Sequence, residues 1–284
     1  MGSVTDRRIV VRVADGHQVR RPDTLVVEEP LEIRVGERPL AVTMRTPGDD
    51  VDLALGFLFT EGLIGDAADV ATAKHCTGGA DSLDASRPGL GASADSHLNV
   101  LEVTLAPGVP APRFDRNFYT TSSCGVCGKA SIDAVKTQSR YPVAGDPVTV
   151  PAEVLAGLPE RLRTRQRVFE RTGALHAAGL FTAGGELLCL REDVGRHNAV
   201  DKVVGWALRE GRLPLTGHLL LVSGRASFEL TQKASMAGIP VLAAVSAPST
   251  LAVDLADELG LTLVGFLRPG RMNLYAGAHR VPLP

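Results

Sequence analysis

The sequence predicts an α/β protein with a smaller, mostly β part at its N-terminal end, and two patterns carry that reading. In the second half, continuous apolar runs at 218–223, 240–246 and 261–266 alternate with helical stretches at 226–237 and 248–259, which are stopped by Gly238 and Gly260. Apolar strands separated by helices are what a parallel sheet covered on both faces requires. In the first half, residues 9–13, 31–35, 40–44 and 98–105 read as short strands in which apolar side chains cluster or alternate with charges. The first three suit an antiparallel sheet, and 98–105 is one more strand.

Between the early strands, Pro47-Gly48-Asp49-Asp50 breaks the sheet and caps a helix that runs to about Glu61. Leu53, Leu55, Phe57 and Leu58 form its core face, and Gly62 stands just past its end. Residues 77–97 turn to Gly, Ala, Ser and Asp, the composition of a solvated or disordered insert. A Pro-rich linker at 106–112 then places a domain boundary near residue 115, giving domains 1–115 and 116–284.

Bulk properties narrow the function only by exclusion. The chain of 284 residues has 44% hydrophobic content, enough for a sizeable core, and a formal net charge of −2 offers no general attraction to nucleic acid. Its first residues carry charges with no apolar stretch behind them, and no apolar run is long enough to span a bilayer. Met1-Gly2 opens no myristoylation signal, because Asp6 stands where Ser or Thr is required. The expected location is the cytoplasm, where four cysteines imply reduced thiols rather than structural disulfides.

Two of those cysteines lie one turn apart in Thr120-Thr121-Ser122-Ser123-Cys124-Gly125-Val126-Cys127-Gly128-Lys129. The residues that follow favour a helix, with an apolar step at Ile132 and Val135, so the loop is expected to feed a helix N-terminus. Partial positive charge there, together with Lys129, favours thiolate over thiol, and the thiolate is the species that attacks a disulfide or persulfide sulfur. The flanking glycines allow the loop to reach more than one partner. A structural zinc site would need four ligands, whereas Cys76 and Cys189 stand alone. A thioredoxin-like dithiol is the stronger rival, although no clear apolar strand leads into the motif.

A second candidate site follows from the parallel sheet, in which ligands lie beyond the carboxyl ends of the strands. Here those ends are Ser223-Gly224-Arg225, Ser246-Ala247-Pro248 and Phe266-Leu267-Arg268-Pro269-Gly270-Arg271. Hydroxyls, helix N-termini and three guanidiniums on one crevice suit a phosphate or pyrophosphate group. The chain has neither Gly-x-Gly-x-x-Gly nor a P-loop lysine motif, which argues against an ordinary dinucleotide or triphosphate enzyme. Two polar segments accompany the crevice, one ending in His176 and the other running Arg191-Glu192-Asp193-Val194-Gly195-Arg196-His197-Asn198-Ala199-Val200-Asp201-Lys202. A helix starting near Gly195 would put His197 and Asp201 on one face, with Val200, Val203, Val204 and Ala207 toward the core. Either histidine could position a thiolate, contact a phosphate or serve as a hydrogen-bonded structural residue.

The segments Arg45-Thr46-Pro47-Gly48-Asp49-Asp50, Gly56-Phe57-Leu58-Phe59-Thr60-Glu61-Gly62 and Ser123-Cys124-Gly125-Val126-Cys127-Gly128 resemble, in order, those of the FdhD family. So do the run from Arg191 to Lys202 and the stretch from Ser223-Gly224-Arg225 to Ala237-Gly238-Ile239-Pro240. These are formate dehydrogenase accessory sulfurtransferases. The resemblance implies a main α/β/α domain like that of cytidine deaminases with a smaller N-terminal part, and a homodimer. The chain lacks the deaminase His-x-Glu and Pro-Cys-x-x-Cys ligand pair, so zinc-activated water is not expected and no metal ligands are assigned.

It further implies that a cysteine desulfurase passes persulfide sulfur to Cys124 or Cys127. That sulfur is then handed to the bis(molybdopterin guanine dinucleotide) molybdenum cofactor before the cofactor enters the formate dehydrogenase catalytic subunit. The family's guanine-dinucleotide contact maps onto Phe266, Leu267, Arg268, Pro269, Gly270 and Arg271, one of the strand ends reached independently above. Ser223, Gly224, Arg225 and Ser246 complete the expected contacts, and a guanine nucleotide could serve as surrogate ligand. Which cysteine carries the sulfur, and whether the metal is molybdenum or tungsten, stay open at this level. The alternatives are a cofactor-binding chaperone without covalent transfer and a dithiol redox protein.

Overall fold

The computed structural model describes residues 3–76, 98–112, 118–119 and 139–282. Cys124 and Cys127, the helix expected after them, the insert at 77–97 and the domain boundary near residue 115 lie outside the described residues.

The chain opens with a two-stranded antiparallel ribbon of β1 (Thr5–Ala14) and β2 (His17–Val26), closed by Asp15-Gly16. Both turn residues have positive φ, 50° and 76°, as a two-residue hairpin turn demands. The strand expected at 9–13 therefore exists but does not join an antiparallel sheet with the strands that follow. Those strands are β3 (Glu29–Val35), β4 (Arg38–Arg45), β5 (Val70–His75), β6 (Val100–Leu105) and the short β7 (Phe118–Tyr119), in the order β5-β6-β3-β4-β7. The expected antiparallel pairing holds for β3 and β4, whereas β6 joins β3 in parallel and β7 joins β4 in parallel. A helix intervenes between β4 and β5 and changes the direction from which β6 can return.

That helix is α1 (Asp50–Thr60), and its expected core residues Leu53, Leu55, Phe57 and Leu58 are all buried. Its entry departs from expectation: Asp49 adopts a left-handed conformation and its side chain makes no capping bond. Gly62 closes the helix at φ 72°.

The second half contains α2 (Ala152–Arg163), α3 (Arg167–Thr172), β8 (His176–Thr182), β9 (Leu187–Asp193), α4 (Arg196–Arg209), β10 (His218–Val222), α5 (Phe228–Met236), β11 (Val241–Ala244), α6 (Thr250–Leu259), β12 (Thr262–Arg268) and β13 (Arg271–Ala276). The strands form one sheet in the order β13-β12-β11-β10-β8-β9. As the alternating apolar runs predicted, β10, β11 and β12 are parallel. The flanking β8, β9 and β13 are joined through antiparallel pairs. Alternate residues face opposite layers. Leu220, Val222, Leu242 and Ala244 share a core with α4, α5 and α6, whereas Leu219, Leu221, Val241 and Ala243 pack with Leu155, Leu158 and Leu162 of α2. The result is a mixed α/β protein with a β-rich N-terminal part, as predicted.

The first core continues without a break from the main sheet through α4 and α1 to Leu31, Ile33, Leu101 and Val103 of the N-terminal sheet. The crossing of α1 and α4 depends on two glycines. A Cβ on Gly56 would run into the carbonyl of Asp201, and one on Gly205 into the carbonyl of Asp52, so each helix lies on the bare backbone of the other. Gly205→Ala is therefore expected to cost about 2–3 kcal/mol of folding stability, the scale of core overpacking. Gly145→Ala, whose Cβ would meet open space, should stay within about 0.5 kcal/mol. Urea unfolding of the two variants beside the parent chain checks the difference.

Candidate functional site

Because β10, β11 and β12 are parallel, their carboxyl ends lie on one edge of the sheet, and β9 ends there too because it runs antiparallel to β8. Three of these ends feed the N-termini of α4, α5 and α6, while β12 turns back into β13. Beyond the strands the backbone continues as a hydrogen-bonded row. Ser246 N donates to Gly224 O at 3.2 Å, Phe266 N to Ser246 O at 3.1 Å, and Ser249 N to Ala226 O at 3.0 Å. The structure thus brings together Ser223, Gly224, Ser246 and Phe266, which are far apart in sequence.

The remaining predicted residues are placed less evenly. Phe266, 41% exposed, sits in a register irregularity of β12 at φ 50°. Leu267 is fully buried in the core shared with α2, so only its backbone could meet a ligand. Arg268-Pro269-Gly270-Arg271 forms the exposed tip of the β12–β13 hairpin, with Gly270 at φ 75°. Arg268 and Arg271 stand directly opposite each other. Like charges in that position repel unless an anion lies between them, which suits a phosphate. Arg225 is exposed beside Gly224.

A cluster at the same edge includes residues that sequence reading did not single out. His197, in the first turn of α4, brings Nε2 to 3.4 Å from Ser227 Oγ and 3.6 Å from Glu229 Oε2 at the start of α5. The histidine, with help from Ser227, holds the Glu229 carboxyl down at about 2. His176 opens β8 across the same edge, where Ser223 Oγ accepts a hydrogen bond from Ala177 N at 2.9 Å. Burial, the Arg196 guanidinium and His197 all push the His176 imidazole below its ordinary value, outweighing the opposite pull of Asp193. A Cβ on Gly224 would lie 3.4 Å from His176 Nδ1, so glycine leaves that ring nitrogen uncovered. Arg196 Nε is buried with no hydrogen-bond partner among the described residues. Arg196 also occupies the positive end of a helix, where a cation is disfavoured. The electrostatics of this edge favour an incoming anion. Ser227-x-Glu229 at a helix start was the available sequence signal, but only with knowledge that it faces His197.

Much of the Arg191–Lys202 run proves to be internal structure. Asp193, fully buried, pairs with Lys202 Nζ at 2.7 Å and accepts from Gly195 N, Asn198 Nδ2 and Thr46 N. Asp201 binds Lys233 Nζ at 2.8 Å and Thr60 Oγ1 at 2.9 Å. His197 and Asp201 share the face of α4 that meets α5, as expected, His197 at the start of α5 and Asp201 buried against Lys233 one turn further along. Cys189 is also excluded as a nucleophile, since burial pushes its thiol up to about 12. Among the described residues, no three His, Cys, Asp or Glu side chains are placed to hold a metal ion, and no helix is long and apolar enough to cross a membrane.

An α/β/α layering with helix N-termini, glycines and cations gathered at one sheet edge defines a mixed α/β protein with a cation-lined sheet edge. Comparison with known proteins specifies it further. The FdhD/NarQ family matches residues 26–282, and the chain belongs to that family. A Streptomyces coelicolor relative called sulfur carrier protein FdhD is 61% identical over all of this chain and 98% of its own. A relative of the same name from Mycobacterium tuberculosis is 56% identical over 99% of this chain and all of its own. The crystal structure of a putative formate dehydrogenase accessory protein from Desulfotalea psychrophila shares the fold. Its TM-score is 0.72 at 22% identity, with 99% of this chain and all of that chain covered.

The environment of His176 has a pH consequence. Its folded value lies below the ordinary 6.5, so the unfolded chain binds its proton more readily, and the imidazole opposes folding as pH falls from 6.5 toward the folded value. His176→Gln should flatten the pH dependence of urea stability in that window and leave it unchanged above pH 7.5 (about one pH unit above the ordinary imidazole value). Parallel unfolding series of parent and variant measure this directly.

Proposed function

We propose that this protein is a sulfur carrier that takes persulfide sulfur from a cysteine desulfurase. It passes that sulfur to a bis(molybdopterin guanine dinucleotide) cofactor on its way to formate dehydrogenase. The observation that carries the reading is the pair Cys124 and Cys127, in a chain whose near-full-length relatives are called sulfur carrier proteins. The cation-lined strand ends support it, because a guanine dinucleotide presents phosphates to whatever binds it.

The chemistry begins with a thiolate of the Cys124–Cys127 pair attacking the terminal sulfur of the desulfurase persulfide. A new S–S bond forms on the carrier, the donor S–S bond breaks, and the desulfurase leaves as a thiolate. Delivery of that sulfur as sulfide needs two electrons. Attack by the second cysteine on the inner sulfur supplies them, giving a Cys124–Cys127 disulfide and hydrosulfide, and a thiol reductant restores the pair. The cofactor is cargo in this scheme. Arg268 and Arg271 hold its phosphates, and the backbone row through Gly224, Ser246 and Phe266 lines its seat.

Incubation with an active cysteine desulfurase and free cysteine, followed by peptide mass spectrometry, tests the carrier step. One or more reducible sulfur atoms on the peptide holding Cys124 and Cys127 are expected, and none in the double Ala variant, which also fails to mature formate dehydrogenase. Arg271→Ala should weaken guanine nucleotide binding about tenfold, the scale of one charge-assisted hydrogen bond, and leave sulfur loading intact. A Cys-free variant that still matures formate dehydrogenase would replace covalent transfer with a cofactor-binding chaperone.

A further inference from the structure

Charge is spread unevenly over this chain. Residues 7–21, in the β1–β2 ribbon, and 161–171, at the corner between α2 and α3, together carry ten arginines against two carboxylates, Asp15 and Glu170, in a chain of formal net charge −2. All ten are exposed, and among the described residues only Arg8 is paired with a carboxylate, Asp6 at 2.7 Å. Like charges gathered on one surface repel one another in the free protein and draw in a partner of opposite sign.

The two segments meet in space. α3 packs against β2, and at the base of the ribbon Arg171 Nη2 donates to Thr5 Oγ1 at 3.5 Å. Thr5, Arg7, Ile9, Val11 and Val13 share one face of β1, and Arg20, directly opposite Val11, shares it too. Arg167 and Arg171 stand one turn apart on α3. The surface that results sets arginines around an apolar centre, in which Ile9, Val11 and Val13 are 62%, 56% and 66% exposed. Its place is set by Glu192 near the end of β9, which accepts from Val168 N at 3.1 Å and Phe169 N at 2.9 Å and moors α3 beside the cation-lined edge of the main sheet. His176, just after α3, opens β8 on that same edge.

We propose that this arginine-rich face docks an acidic protein surface, that of the protein to which the cofactor is handed. The inference rests on the carrier reading above. The cations select an acidic partner, and the apolar centre selects a protein. Ile9, Val11 and Val13 gain nothing from a phosphate backbone, whereas protein interfaces combine arginine with an apolar core. A second copy of this chain would bring the same cations and be repelled. The place selects the recipient, because a protein seated on α3 and the ribbon stands at the β8–β9 end of the edge whose strand ends line the cofactor's seat. Opposite charges on the two partners would speed their encounter and fix their orientation.

Biolayer interferometry of the full-length protein against the cofactor-free catalytic subunit of formate dehydrogenase, at about 50 and 300 mM salt, tests the proposal. The association rate should fall about tenfold or more between the two salts, and by a similar factor at the lower salt in Arg7→Glu/Arg20→Glu and in Arg167→Glu. Arg167→Glu places an acid at a helix start, where it is favoured, so the variant is expected to fold. Arg140→Glu, exposed beside the C-terminal end of α5, should stay within about twofold of the parent. Persulfide loading by the desulfurase should be unchanged in every variant. A parent that loads no sulfur overturns the carrier reading on which the proposal rests. A parent that loads normally, beside reversed variants that bind the dehydrogenase unchanged, overturns the docking face alone. So does a parent that does not bind the dehydrogenase, or reversed variants that lose sulfur loading while keeping that binding. Binding of the parent to vesicles of phosphatidylglycerol and phosphatidylcholine, lost only in the reversed variants, would assign the face to a membrane instead.

Discussion

Everything in this fold hangs on the contact between α1 and α4. Gly56 and Gly205 let the two backbones meet carbonyl to Cα, a distance at which dispersion and weak Cα–H···O contacts act along both helices. The N-terminal sheet stands on one side of that contact and the six-stranded sheet on the other, so a shift at the crossing would move one against the other. Buried charges fix its rotation. Arg191 reaches Asp52 of α1 at 3.0 Å, Lys202 reaches the Thr46 carbonyl at 2.9 Å, and Lys233 joins Asp201 to Thr60. Each pair links an element of the first half to one of the second.

Those pairs make a demanding kind of glue. Removing a charge from water costs several kcal/mol, and the partner's attraction offsets it only when the remaining lone pairs are also filled. Asp193 meets that condition with four partners, and Asp201 with two. Ion pairs satisfied only in one arrangement specify geometry more than they add stability. The gain is local: α4 begins directly after Asp193, so the lock that seats its first turn also positions Arg196 and His197 at the sheet edge.

The edge itself is left electrostatically unbalanced. Arg196 and His197 sit at a positive helix end, the His176 imidazole beside them is pushed below its ordinary value, and two arginines face each other at the hairpin tip. Glu229 is the carboxylate that answers His197. Such an imbalance is the kind of departure from local rules that functional sites show. The buried charges of Arg191–Lys202 and the unbalanced ones of the edge come from the same twelve-residue run, separated by the direction each side chain takes from the start of α4.

The sequence alone determined the features that depend on local pattern. The three parallel apolar strands with their helices, the stop at Gly238 and Gly260, the buried stripe of Val200, Val203, Val204 and Ala207, and the Cys124–Cys127 pair all follow from periodicity and residue chemistry. Three strand ends could be placed on one crevice by the rule for parallel sheets. What only the tertiary structure decided were relations between distant segments. Among them are the parallel return of β6 beside β3, the separation of β1 into its own ribbon, the burial of Leu267 under α2, and the meeting of His197 with Ser227 and Glu229. Strand partners and buried ion pairs are chosen by long-range packing, whose energy depends on which surfaces remain to be covered after each element has formed. No window of sequence contains that information, because the glycine that admits a neighbouring helix looks, in its own segment, like any other.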